Sequence, residues 1–95
     1  MLLAVIRTGR HAFAMAIRRE IETVTGRAIA IGSVYVTLDR LESKHLVAST
    51  RDARDGQMSR RAFSVTAAGS RALADTRAMR DRLWRGVQLR RAGPP

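Results

Sequence analysis

The sequence predicts a mainly α fold with a two-stranded β-wing, a winged helix-turn-helix followed by a long C-terminal helix. Three observations predict it. Three runs of helical periodicity, punctuated by Gly9, Gly26 and a short β-branched connector, fill the first half of the chain. Two alternating runs then flank a polar loop that contains Gly56, the pattern of a hairpin. A last apolar stripe at steps of three and four begins beyond Thr66.

The elements follow in order. Residues 1–8 read as two turns of a helix that Gly9 ends. Phe13, Ile17, Ile21 and Val24 recur at steps of four, four and three, with Arg18, Arg19, Glu20, Glu22 and Thr23 on the outer side, and Gly26 is the natural stop. "RAIAI" leads into a third helix from about Gly32 to Lys44, whose apolar face is Val34, Leu38 and Leu41. "LVAST" and "RAFSVT" are rich in strand formers, and the second places Phe63 and Val65 on one face. From Ala67 to about Arg91 the pattern is helical again: Ala72, Thr76, Met79, Leu83 and Val87 form a stripe, with Leu73 and Trp84 beside it. The division expected is residues 1–66 for the winged domain, 67–91 for the last helix and 92–95 for a disordered tail.

With 95 residues there is room for one modest core. Aromatics are only 4%, so that core rests on Leu, Ile, Val, Ala and Met, and a second copy of the chain is a ready source of further buried area. Eighteen Lys and Arg against eight Asp and Glu give a net charge of +10, which favours a polyanionic partner. Lys44 is the single lysine. Arginine suits bidentate contact with phosphate and guanine, and a coding bias toward arginine is the plain alternative. Cysteine is absent, which removes disulfides, thiolate metal sites and cysteine nucleophiles. The six apolar residues "MLLAVI" are too few for a membrane span or a secretory core, so a cytoplasmic, nucleoid-associated protein is expected.

In the winged plan the third helix enters the major groove and the wing tip reaches the backbone or the neighbouring minor groove. The face of that helix opposite its apolar stripe carries Ser33, Thr37, Arg40 and Lys44, flanked by Tyr35 and Val36. Hydroxyls and Arg40 suit phosphates and base edges, and Val36 suits a thymine methyl. Tyr35 offers a flat body and a hydroxyl, or else it packs at the edge of the core. Arg51, Arg54, Arg60 and Arg61 flank the hairpin turn. With Asp52 and Asp55 beside them, the wing is either a backbone contact of net charge +2 or a solvated loop. Arg10 and His11 are expected at the start of the second helix, where a positive dipole end favours phosphate, though a simple helix start explains them as well.

Taken with these positions, "GSVYVTLDRLESKHLV", "AIRREIETVTGR" and "RRAFSVTAAGSRAL" resemble the PadR family of bacterial transcriptional regulators, over about residues 2–73. Ser33, Val34, Tyr35, Thr37, Leu38, Arg40, Leu41 and Glu42 meet the pattern of its recognition helix, and Thr66 and Gly69 meet the "T-x-x-G" that opens its last helix. The resemblance implies a homodimeric DNA-binding repressor without the large C-terminal domain of longer members. Its last helix would pack on the partner through Leu73, Thr76, Met79, Leu83, Trp84 and Val87. For some members the family also implies a small apolar or phenolic effector at that interface. Departures from the family pattern are Val36 for Pro, Ala30 for a capping Ser, His45 for Gly, and "DGQMSRR" for the usual basic wing cluster.

Catalysis has no foothold in the sequence. His11 and His45 are the two histidines, and neither has the convergent partners that a metal or a general base needs, so no enzyme, metal or cofactor is expected. The last helix is too thin in bulky residues for a membrane surface. The rival from another class is a winged-helix protein–protein module that binds an acidic partner through its basic last helix.

Overall fold

The computed structural model describes residues 1–52 and 60–89, which fold as four helices and one two-stranded sheet. The order is α1 (Leu2–Thr8), α2 (Ala14–Thr25), α3 (Ile31–Ser43), β1 (Val47–Asp52), β2 (Arg60–Val65) and α4 (Ala67–Trp84). The winged helix-turn-helix expected from the sequence is the fold observed. Arg54, the side chain of Arg60 and the expected tail 92–95 lie outside what is described.

The core is small and sits where α1, α2 and α3 converge on the sheet. Val5, Ala12, Ala14, Ile17, Val34, Leu38, Val47 and Phe63 are buried, and Ile21, Ile29, Leu41 and Val65 pack against them. Ile17, Val34 and Leu38 are sealed from solvent; each such aliphatic side chain contributes about 1.5–3 kcal/mol on burial. The sheet is antiparallel with Val47 opposite Val65 and Ser49 opposite Phe63, so one face of the hairpin continues the core. Two charged contacts stitch the helices: Arg7 Nε to Glu20 Oε1 at 2.9 Å joins α1 to α2, and Glu22 Oε2 accepts the Ile29 amide at 3.0 Å ahead of α3.

Two expectations need correction. Arg10 and His11 do not start α2; they form the turn before it. Gly9 and His11 both have positive φ (74° and 57°). The backbone at 12–13 is then captured by β2, with the Phe63 amide donating to the Ala12 carbonyl at 2.9 Å and a bridge joining Phe13 to Ala62. Helical geometry therefore begins only at Ala14. Nor does α4 run to Arg91. It ends at Trp84, because Arg85 is extended (φ −58°, ψ 127°) and Gly86 has φ 73°, and Val87 falls beyond the helix it was expected to line.

The junction of α3, β1 and α4 explains several sequence features at once. Past the end of α3, His45 takes φ 61°; its amide reaches the Glu42 carbonyl at 2.9 Å and the Leu46 amide reaches the Leu41 carbonyl at 2.9 Å. That is the Schellman ending, which favours glycine at the left-handed position. Thr66 then caps α4: its hydroxyl accepts the Gly69 amide at 3.0 Å and donates to the His45 carbonyl at 2.7 Å. Gly69 is buried against the start of β1, and a Cβ there would lie 2.1 Å from the Leu46 oxygen and 2.7 Å from Val65 Cγ1.

The junction yields a pair of substitutions of opposite sign. Gly69→Ala is expected to destabilise by about 3 kcal/mol, since backbone must move to admit the methyl. His45→Gly is expected to stabilise by about 0.5–1 kcal/mol, because relief of left-handed strain exceeds the added chain entropy. Urea unfolding of both variants beside the wild type checks the two signs.

Candidate nucleic-acid interface

The turn that joins α2 to α3 and the buried contacts of Val34 and Leu38 fix which side of α3 faces out. On that side Ser33, Val36, Thr37, Arg40 and Lys44 follow one another at helical spacing, as one ridge. Val36 is 53% exposed and Tyr35 43%. Ser33, Arg40 and Lys44 are exposed, and Thr37 is partly so. The Thr37 hydroxyl donates to the Ser33 carbonyl at 2.9 Å, which leaves its oxygen able to accept a further hydrogen bond. Arg40 and Lys44 have no ionic partner among the described residues.

The remaining residues from the sequence reading are distributed around this ridge. Arg51, exposed near the loop end of β1, stands opposite Arg61 in the hairpin register. The Arg10–His11 turn lies between α1 and α2, with the His11 ring stacked on Phe13 at 6.0 Å. On α4, Leu73 is half-buried. Met79, Leu83 and Trp84 are 56%, 71% and 49% exposed, and Thr76 is exposed with them.

Arg61 is where the structure adds most. It was expected among the wing's DNA contacts, yet it turns inward toward α3. Its Nη1 meets Asp39 Oδ1 at 3.0 Å, its Nη2 bonds to Glu42 Oε1, and its guanidinium carbon stands 4.9 Å over the Phe63 ring. Ser49 completes the group by donating its hydroxyl to Glu42 Oε2 at 2.6 Å. A signal for this lay in the strand period. Arg61 is in phase with Phe63 and Val65, so it shares the body-facing side of β2. Asp39 and Glu42, three apart on α3, supply the acidic edge to meet it.

These contacts set the local electrostatics. The hydrogen bond from Ser49 holds the Glu42 carboxyl below its ordinary value of 4.5, and the Arg61 charge acts in the same direction against partial desolvation. The hydrogen bond to Asp39, reinforced by the charge of Glu42, raises the Arg61 guanidinium. Among the described residues no group of three His, Cys, Asp or Glu is placed to hold an ion. Among them, too, no helix is long and apolar enough to cross a membrane.

A carboxyl whose folded value is depressed contributes stability that is present above its unfolded value and lost as pH falls through the folded one. The stability difference between wild type and Glu42→Gln is therefore expected to be full at neutral pH and to shrink as pH drops below 4.5. Thermal midpoints of both proteins from neutral to acid pH test this.

Comparison with known proteins bears on what the interface is for. The model of the transcriptional regulator PadR-like family matches residues 2–75. Among solved structures, the chain is similar to a PadR family transcriptional regulator from Eggerthella lenta DSM 2243, at 25% identity and a TM-score of 0.69, covering 88% of this chain and 76% of that one. It is also similar in fold to a PadR family regulator from Clostridium difficile R20291, at 18% identity and TM-score 0.56, covering 90% of this chain and 88% of that one. A third likeness is to Bacillus subtilis PadR, solved in complex with operator DNA, at 13% identity and TM-score 0.63. That match covers 98% of this chain and 52% of the other, so the chain spans about half the length of that protein. No curated protein matches the sequence.

Proposed function

The chain belongs to the PadR-like family of transcriptional regulators, and on that premise we propose that it is a DNA-binding repressor, acting as a homodimer on a pseudo-palindromic operator. The observation that carries the proposal is the exposed ridge of Ser33, Val36, Thr37, Arg40 and Lys44 on a helix anchored through its opposite side. Arg40 and Lys44 pair with phosphate or guanine, the hydroxyls of Ser33 and Thr37 meet phosphate or base edges, and Val36 meets a thymine methyl. Tyr35 reaches the backbone from the wing side of the helix. Arg54 and Arg60 serve as backbone contacts of the wing, and Arg10 and His11 approach the flanking phosphate. The Bacillus subtilis relative held on operator DNA supports this use of the fold. Its setting is the nucleoid within the cytoplasm.

The dimer half of the proposal rests on α4. Among the described residues the core closes on eight buried hydrophobic side chains, two of them alanine, while Met79, Leu83 and Trp84 stand exposed along the second half of the helix. Leu3 and Ile6 on the neighbouring α1 are exposed as well, at 62% and 50%. An apolar surface of that extent marks an interface, with Trp84 as its amphipathic anchor. Two copies joined there would present two α3 helices to successive major grooves about 34 Å apart. The same surface is where a flat apolar or phenolic effector would lodge.

Fluorescence anisotropy against the labelled upstream region of its own gene tests the DNA reading. The native duplex is expected to bind at least about tenfold tighter than a scrambled one, with affinity falling steeply between about 50 and 200 mM salt. Thr37→Ala combined with Arg40→Ala is expected to erase the difference. Equal binding of both duplexes, unaffected by the mutations, would point instead to an acidic protein partner for α4. For the dimer, Met79→Asp with Leu83→Asp is expected to move the sedimenting species to monomer mass and to weaken operator binding about a hundredfold through lost bivalency.

A further inference from the structure

The charges that matter to α3 are local. The net +10 of the chain is spread over its whole length, and at physiological ionic strength a charge is largely screened beyond about 8 Å. From Ile31 to Lys44 the helix and its cap carry Asp39 and Glu42 against Arg40 and Lys44, which sums to zero. Asp39 immediately precedes Arg40 and is 58% exposed, so an unpaired carboxylate would border the ridge proposed to meet phosphate.

Arg61 is built to offset both acids at once. Its planar fork reaches Asp39 with one nitrogen and Glu42 with the other, the latter also 3.5 Å from Ser49 Oγ, while Phe63 lies beneath its plane. A lysine ammonium could not bridge two carboxylates three residues apart in that way. The same contacts tie the start of β2 to the C-terminal half of α3, so they set the wing's position as well as the helix's charge.

We propose that Arg61 is a positioning residue for DNA recognition. It masks Asp39 and Glu42 and pins the wing to α3, so that the outer ridge meets the duplex as a cationic surface, and it does not itself touch the DNA. This inference rests on the DNA-binding reading above. It separates Arg61 from Arg40, Lys44 and the other arginines of the wing, whose part is direct contact.

The test uses the full chain and a labelled 25-base-pair duplex that the wild type selects from a random pool. Arg61→Gln is expected to bind about tenfold more weakly, because two carboxylates are unmasked beside the phosphates. Adding Asp39→Asn and Glu42→Gln is expected to restore affinity to within about threefold of wild type, with an unchanged salt slope because no phosphate contact has been lost. A charge-matched control, Arg61→Gln with Asp75→Asn and Asp81→Asn on α4, is expected to stay weak. A triple variant as weak as the single, with a salt slope reduced by about 0.9, would show that Arg61 contacts phosphate itself. Rescue by the α4 control, or wild-type affinity in the single variant, would equally overturn the proposal. If circular dichroism shows Arg61→Gln unfolded, the comparison shifts to the triple variant against Asp39→Asn with Glu42→Gln alone. Those two are expected to agree within about threefold, and a loss of tenfold or more on removing Arg61 would refute the masking role. A wild type that binds no duplex would overturn the DNA-binding reading itself, and this inference with it.

Discussion

The hydroxyl of Thr66 stands between the last turn of α3 and the first turn of α4, donating to the carbonyl of His45 and accepting from the amide of Gly69. Three elements meet at that oxygen. α3 ends there with its carbonyls satisfied by His45 and Leu46, β1 leaves from Leu46, and α4 departs with its first turn capped. Thr66 also donates its own amide to the Leu46 carbonyl at 3.0 Å, so β2 and the head of β1 are tied at the same point. An uncapped helix end leaves up to four backbone donors without partners. The absence of a side chain at Gly69 is what permits this closeness. The backbone of α4 lies directly on the carbonyl of Leu46, and everything downstream takes its direction from that contact.

The second organising element is electrostatic. The chain is basic almost everywhere, yet the segment that matters most to its proposed function is locally neutral until Arg61 is counted. Exposed ion pairs stabilise by little, roughly 0–1 kcal/mol each. The value of the Arg61 group lies instead in arrangement: one guanidinium, two carboxylates, a serine hydroxyl and an aromatic ring fix the angle between hairpin and helix.

Much of this was legible in the sequence, and the exceptions share a cause. The run Phe13, Ile17, Ile21 and Val24 foretold α2, and Val34, Leu38 and Leu41 foretold α3, because Ile17 and Ile21 face the same core as the α3 residues and local spacing reports it, although Val24 is 55% exposed. The non-glycine residue at the left-handed end of α3 was visible in "KHLV". What escaped was set by partners distant in the chain. Helix α2 starts late because Phe13 pairs with Ala62, a contact forty-nine residues away along the chain (62 − 13). Arg61 was grouped with a wing tip on the strength of its charge, although its phase with Phe63 pointed to the body of the domain. The early end of α4 had a visible marker in Gly86, which the apolar stripe through Val87 outweighed.

Mechanically, α4 is a lever whose fulcrum is Gly69. Its first turn rests on main chain, where no rotamer change can absorb a tilt, and its far end at Trp84 lies about 22 Å away, fifteen residues at 1.5 Å each. A sideways displacement of about 2 Å at Trp84 corresponds to a rotation of about 5° at the fulcrum for a rigid helix of that length. The stroke is delivered to the carbonyl of Leu46, three residues past the end of α3 and joined to it by the Leu46–Leu41 hydrogen bond. The long exposed arm and the short buried one thus meet at one backbone contact, so that a tilt of a rigid α4 would be felt first at the carbonyl that follows α3.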